Sequence, residues 1–260
     1  MTARHCTLFA VLTVAFAATL RAGDATAQGY VRVGLGASLA AETQFRDVDC
    51  TSAMPAALYG CGEGGDGAPL STTGEFTATA GLGIGAGYAV GPAASIELQL
   101  DYRPNVPFEG RANFLAPERE QTVRVKHSSL SATVAAMIDL QALWAFEVSG
   151  FRPFAGVGVG RVRHRLGETR MRFPRTETIV PGGNRTDWTW MLTAGFSRAI
   201  SERTLLDIAW QYADRGDAGT AQGAGRVEWR DGSRTVALDL APTRAQVNQH
   251  SVVLSVRYGW

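Results

Sequence analysis

From Tyr30 to Trp260 the chain alternates apolar and polar residues with a period of two, the spacing that sends successive side chains to opposite faces of a strand. Tyr30 to Leu39 sets Val31, Val33, Leu35, Ala37 and Leu39 against Arg32, Gly34, Gly36 and Ser38. Phe76 to Val90 sets Phe76, Leu82, Ile84, Ala86 and Tyr88 against Gly81, Gly83, Gly85 and Gly87. Ile96 to Arg103 and Ser128 to Leu140 follow the same rule, the former with Glu97, Gln99, Asp101 and Arg103 on its polar side. Arg152 to Arg163, Trp188 to Ile200, Leu206 to Tyr212 and Ser251 to Trp260 complete the set. Each segment is near the roughly 10 residues a tilted strand needs to cross a bilayer. The pattern predicts an all-β chain of eight strands, the even number and the length that an eight-stranded antiparallel transmembrane β-barrel needs.

Alternation alone also fits a soluble sandwich or barrel, so the connections decide. Short links at 91–94, near 148–150 and at 201–203 alternate with long polar ones at about 40–75, 104–123, 164–186 and 213–245. Short turns on one side and long loops on the other are the asymmetry of outer-membrane barrels, with periplasmic turns and extracellular loops. The aromatics sort by depth in the same way. Phe76, Tyr102, Trp188, Trp190, Trp210 and Tyr212 fall at strand ends next to long links, and Tyr88, Phe196, Tyr258 and Trp260 next to short ones. Two such girdles are expected where a lipid-facing wall meets two interfaces.

Composition adds location. A mean hydropathy of −0.03 and the lack of any run of 18 apolar residues rule out a transmembrane helix. Leu8 to Leu20 is an apolar run followed by Ala25-Thr26-Ala27, which reads as a secretory signal peptide over residues 1–27, leaving 28–260 as one barrel domain. As a helix the run would span only about 20 Å, too short for an anchor. Cys6 leaves with the signal, and the exported chain keeps an even pair, Cys50 and Cys61, for which a disulfide is the default reading. Metal binding is the alternative, but no further Cys or His lies at ligand spacing. A net charge of +1 gives no reason to expect a nucleic-acid partner.

Three segments carry a resemblance. Arg152-Pro153-Phe154-Ala155-Gly156-Val157-Gly158-Val159-Gly160, Asp207-Ile208-Ala209-Trp210-Gln211-Tyr212 and the last strand from His250 to Trp260 are similar to strands of the OmpA-like/opacity-protein family. That resemblance implies the eight-stranded outer-membrane fold. It also implies that Val256, Tyr258 and Trp260 form the signal read by the barrel-assembly machinery, with Trp in place of the usual terminal Phe. Family members include adhesins, complement-evasion proteins and structural barrels, so the resemblance says little about activity.

Candidate chemistry is sparse. The glycine runs lack G-x-G-x-x-G spacing and a following helix, so they read as a lumen stripe, and no cofactor is expected. Arg32, Glu97, Asp101, Arg103, Asp207 and Arg257 are the expected lumen charges, either a paired plug or the lining of a narrow pore. His127 and Ser129 share one strand face and resemble the His–Ser pair of barrel lipid A deacylases, although their register puts them toward the lumen. Arg215-Gly216-Asp217 in the last long link is an integrin-type tripeptide that turn chemistry explains equally well. Arg161, Arg163, Arg165, Arg170, Arg172 and Arg175, with His164, make the third long link and its flanks basic. Guanidinium forks match phosphate geometry, so lipopolysaccharide is the expected partner and host polyanions a smaller possibility. The expected role is a non-catalytic surface barrel.

Overall fold

The computed structural model describes residues 29–39, 41–144 and 150–260; the expected signal peptide and most of the link near 148–150 lie outside them. The first strands are β1 (Gly29–Ser38), β2 (Ala41–Asp47), β3 (Thr72–Phe76), β4 (Ala80–Ala89), β5 (Ala94–Ala112) and β6 (Thr122–Asp139). One short helix, α1 (Leu140–Trp144), precedes β7 (Phe151–Leu166), β8 (Thr169–Arg172), β9 (Thr176–Val180) and β10 (Gly183–Ala199). The chain ends with β11 (Thr204–Gly219), β12 (Gly223–Trp229), β13 (Thr235–Leu240) and β14 (Thr243–Gly259).

Eight of these strands, β1, β4, β5, β6, β7, β10, β11 and β14, close into an antiparallel ring when β1 pairs with both β4 and β14. Their outward residues include Val33, Leu35, Leu82, Ile84, Leu98, Val134, Val159, Ile208 and Leu254, all exposed. Their inward residues include Glu97, Gln99, Ser131, Thr133, Asp207, Gln211 and Ser255, all buried. A wall that is apolar outside and polar inside is stable against lipid, since water outside would leave the apolar band unburied. The band is edged by Tyr102, Trp188, Trp190 and Trp210 on one side and by Tyr88, Phe196, Tyr258 and Trp260 on the other, all exposed. Two turns on the second edge are tight: Val90 N–H donates to the Ala94 carbonyl and Ile200 N–H to the Thr204 carbonyl, both at 2.9 Å.

Beyond the Trp188 edge, most of the chain expected as long loops is strand. β2 and β3 pair with one another and fill the space between β14 and β5; β8 pairs with β6, and β9, β12 and β13 continue the sheet. The chain around Ala56 meets the free side of β13, with Ala56 N–H donating to the Asp239 carbonyl and Ala241 N–H to the Ala56 carbonyl, each at 2.8 Å. The wall therefore rises as a second tier above the bilayer. There its facing is reversed: Phe45, Phe76, Phe108, Val123, Val125, Met171, Val180, Ala245 and Val247 are buried inside. Outside this tier is water, so the interior collects the apolar side chains as in any soluble barrel. Phe76 accordingly belongs to this inner core, 4% exposed, rather than to the outer girdle expected from its register; residues 77–79 lie outside any strand and shift the phase before β4.

On two strands the reversal is made by bulges. β5 slips register between Arg103 and Val106, where Asn105 takes a φ of 48°, and its inward positions change from Glu97, Gln99 and Arg103 to Val106 and Phe108. β11 slips between Asp214 and Asp217, with Gly216 at a φ of 64°. An extra residue in one strand moves everything beyond it to the opposite face.

Candidate functional site

The lumen of the membrane tier is filled by the predicted charges. On β4, Gly81, Gly83 and Gly85 face large side chains of β5: a Cβ there would lie 3.0 Å from Arg103, 3.1 Å from Asp101 and 2.6 Å from Glu97. The glycine stripe is the space those side chains occupy. Arg32 on β1 meets Glu97 at 2.6 Å, and the Tyr30 hydroxyl donates to the other Glu97 oxygen at 2.9 Å. Arg257 on β14 donates through Nη2 to Asp207 at 2.9 Å and to Ser197 at 2.9 Å, and through Nε to Asp207 at 3.2 Å. Four of the six expected lumen charges thus form two ion pairs, their carboxylates buried and their arginines partly buried. Arg103 donates instead to the Ser251 hydroxyl at 2.9 Å, and Asp101 lies within electrostatic reach of both Arg103 and Arg215.

Arg215 also faces the lumen, although its tripeptide has the composition of a loop. The Arg215-Gly216-Asp217 tripeptide is not an exposed loop but the β11 bulge, and Arg215 is 2% exposed with Nη1 donating to Ser131 at 3.2 Å. Its guanidinium is turned into the barrel, away from anything outside the cell. Its carbonyl accepts from His164 Nε2 at 2.8 Å, which leaves His164 Nδ1 to accept from His127 Nε2, also at 2.8 Å. His127 and Ser129 do share the inward face of β6, at 3% and 2% exposure, and neither faces the lipid. His127 Nε2 is held by a second histidine, not by Ser129. His164 therefore departs from the arginines around it in the sequence: it points inward and they point outward.

Those arginines lie mostly on strands rather than in a loop. Alternation on β7 places Arg161, Arg163 and Arg165 on its outer face. Arg161 is level with Trp188 and lies over its ring at 4.8 Å, a cation–π contact within the girdle. Arg163 stands between Leu130 and Thr186, and Arg165 between Ser128 and Asn184, so their cross-strand neighbours carry no charge. Lys126 and Arg124 extend the outward row on β6, and Arg170 and Arg172 on β8. The higher members have carboxylates at hand: Arg124 meets Glu109 at 3.4 Å, Arg170 meets Glu177 at 3.4 Å and Arg172 meets Glu120 at 3.1 Å. Arg175 lies beyond the end of β8, exposed at the rim.

Cys50 and Cys61 are joined in a disulfide. Nearby, the Asp47 carboxylate accepts three backbone N–H groups, from Leu58 and Tyr59 at 2.9 Å and Gly60 at 2.8 Å, which fixes the segment that follows β2. Alternation carries no trace of that capture, because the acceptor and its donors lie far apart along the chain. In the last strand, Val256, Tyr258 and Trp260 are exposed on the outer face, level with the lower girdle.

A family model described as outer membrane protein beta-barrel domain matches residues 7–258. No curated protein matches the sequence. Among solved structures the chain is similar to Neisserial surface protein A, at 13% identity and a TM-score of 0.39, covering 90% of this chain and 99% of that one. It is similar to OprG from Pseudomonas aeruginosa at 14% identity and a TM-score of 0.49, covering 90% and 95%. It is also similar to Ail of Yersinia pestis, solved with the heparin analogue sucrose octasulfate, at 8% identity and a TM-score of 0.37, covering 90% and 99%.

Proposed function

Because the chain belongs to the outer membrane protein beta-barrel domain family and so resides in the outer membrane, we propose that it is a non-catalytic surface barrel that holds lipopolysaccharide on its outer wall. One observation carries the reading: Arg161, Arg163 and Arg165 climb the outer face of β7 from the Trp188 girdle upward, next to uncharged neighbours on both sides. Guanidinium forks bind phosphate through paired hydrogen bonds, and the outer leaflet presents its phosphates at the height of the girdle. A row that begins at that height favours a lipid headgroup over a sulfated host chain, which would meet only the rim. The filled lumen supports a role without solute conduction, since two ion pairs and the Tyr30 hydroxyl occupy its cross-section. The last strand, with Val256, Tyr258 and Trp260 on its outer face, fits recognition by the barrel-assembly machinery.

The test is the lipopolysaccharide that stays with the barrel through extraction in mild detergent. Arg163→Glu/Arg165→Glu should carry severalfold less than the wild type while keeping the same heat-dependent gel shift. Equal amounts on both proteins would rule the arginine row out as the lipopolysaccharide contact.

A further inference from the structure

The upper tier ends in an open cup rather than a closed cap. All four extracellular segments contribute to it, and its volume is about 710 Å³. Its walls are Leu58, Phe114, Leu115, Phe173, Val227 and Leu238, with Met171 and Leu240 on the floor. Below them the core of Phe45, Phe76 and Phe108 is closed, each 5% exposed or less, so the cup is a dead end and not the mouth of a channel.

The cup is fixed by bonds that do not depend on a ligand. Leu58 is placed by the Asp47 carboxylate, and the strand-like contact of Ala56 with Asp239 and Ala241 ties the same segment to β13. Gln121 holds the segment at Leu115 from both sides, accepting from Leu115 N–H at 2.9 Å and donating to the Leu115 carbonyl at 3.0 Å. Phe114 stacks on Tyr59 at 5.6 Å and meets Phe173 edge-on at 5.8 Å. A concave apolar surface of this size, held open to water, is the usual form of a small-molecule site.

Its charged groups narrow the ligand. Among the described residues, Arg119 and Arg175 are the ionisable members of the lining, both exposed, and none of the lining residues is a carboxylate. The neighbouring Glu120 is turned to Arg172 and Arg230. We propose that the cup binds a small amphiphile with one carboxylate on an apolar body, the body against Phe114, Phe173 and Leu238 and the carboxylate at Arg119 and Arg175. This site is separate from the arginine row on β7, and neither reading depends on the other.

A water-soluble aryl carboxylate tests it with little interference from lipid. 2-Naphthoate is equilibrated by dialysis against the full barrel in nanodiscs, with empty nanodiscs and 2-naphthylmethylamine as controls. Saturable binding above the empty discs is expected, together with preference for the carboxylate over the amine. Arg119→Ala/Arg175→Ala, two changes at exposed side chains, removes both partners of the carboxylate and should weaken binding at least about tenfold, with the heat-dependent gel shift unchanged. Leu238→Asp should abolish it, with the heat-dependent gel shift confirming that this variant is folded. Binding equal to that of empty discs overturns the site. Saturable binding that the double arginine variant leaves unchanged overturns the assignment of an anionic head.

Discussion

Replacing Glu97 by glutamine tests the reasoning about the lumen at one of its two most buried carboxylates. Glu97 is 1% exposed, meets Arg32 at 2.6 Å and accepts from Tyr30 at 2.9 Å. If the amide oxygen accepts from Tyr30, the amide NH2 faces the Arg32 guanidinium, so the change keeps the shape but removes both the charge and the acceptor that Arg32 uses. Breaking a buried ion pair from one side costs about 3–5 kcal/mol, because the remaining charge stays desolvated. Arg32 keeps 16% side-chain exposure, which places the cost near the lower end, about 3 kcal/mol. That is a factor of roughly 150 in the folding equilibrium. Removing both charges, as Arg32→Met/Glu97→Met, should cost less than Glu97→Gln alone, since apolar groups of similar volume replace a buried pair at little loss. Urea unfolding of the barrel in lipid vesicles, followed by tryptophan fluorescence, measures both. A Glu97→Gln variant within about 0.5 kcal/mol of the wild type, or a double variant costing more than the single one, would refute the idea that the pair is coupled.

Three other outcomes follow from the same geometry. Gly85→Val puts a side chain where a Cβ already lies 2.6 Å from Glu97 Oε1, and should cost about 1–3 kcal/mol of overpacking in the same unfolding assay. Asp47→Ala removes the acceptor of three N–H groups, so the amides of Leu58, Tyr59 and Gly60 should exchange markedly faster while those of β1 stay protected; uniform exchange would contradict the local role. The carboxyl of Asp66 is held below its ordinary value by the Ala68 N–H and then by Asn113, so what it adds to the fold is complete above the ordinary value and disappears as pH falls through the lowered one. Carbon NMR of Asp66 should show Asn113→Ala moving its midpoint upward, and an unmoved midpoint would remove Asn113 as a cause.

How much of this the sequence discloses depends on the tier. In the membrane tier a side chain meets either lipid or a narrow polar lumen, so alternation reads out facing directly, and the Arg32–Glu97 and Arg257–Asp207 faces are legible residue by residue. Above the girdle the outside becomes water and the rule inverts. β6 runs through this change without a break: its inward residues turn from Ser131, Ser129 and His127 to Val125 and Val123, with the same parity throughout. β5 and β11 cross it by bulges, whose Asn105 and Gly216 resemble ordinary loop residues in sequence. That is why polar stretches past the girdle read as loops, and why alternation puts Phe76 in the outer girdle and Arg215 in a loop. The arginine row was visible as composition. Its confinement to one face of β7 appears only once β7 is known to run on to Leu166.

Facing and depth along β7 are the centre of the account, and single cysteines measure both at once, since Cys50 and Cys61 are already paired. On intact cells, a membrane-impermeant maleimide should label cysteine at positions 163 and 165 and leave positions 157, 159, 162 and 164 unlabelled, while a lipid-soluble maleimide reaches 157 and 159. Labelling of position 164 by the impermeant reagent, or of 157 in place of 163, would contradict a wall whose arginines begin where the lipid ends.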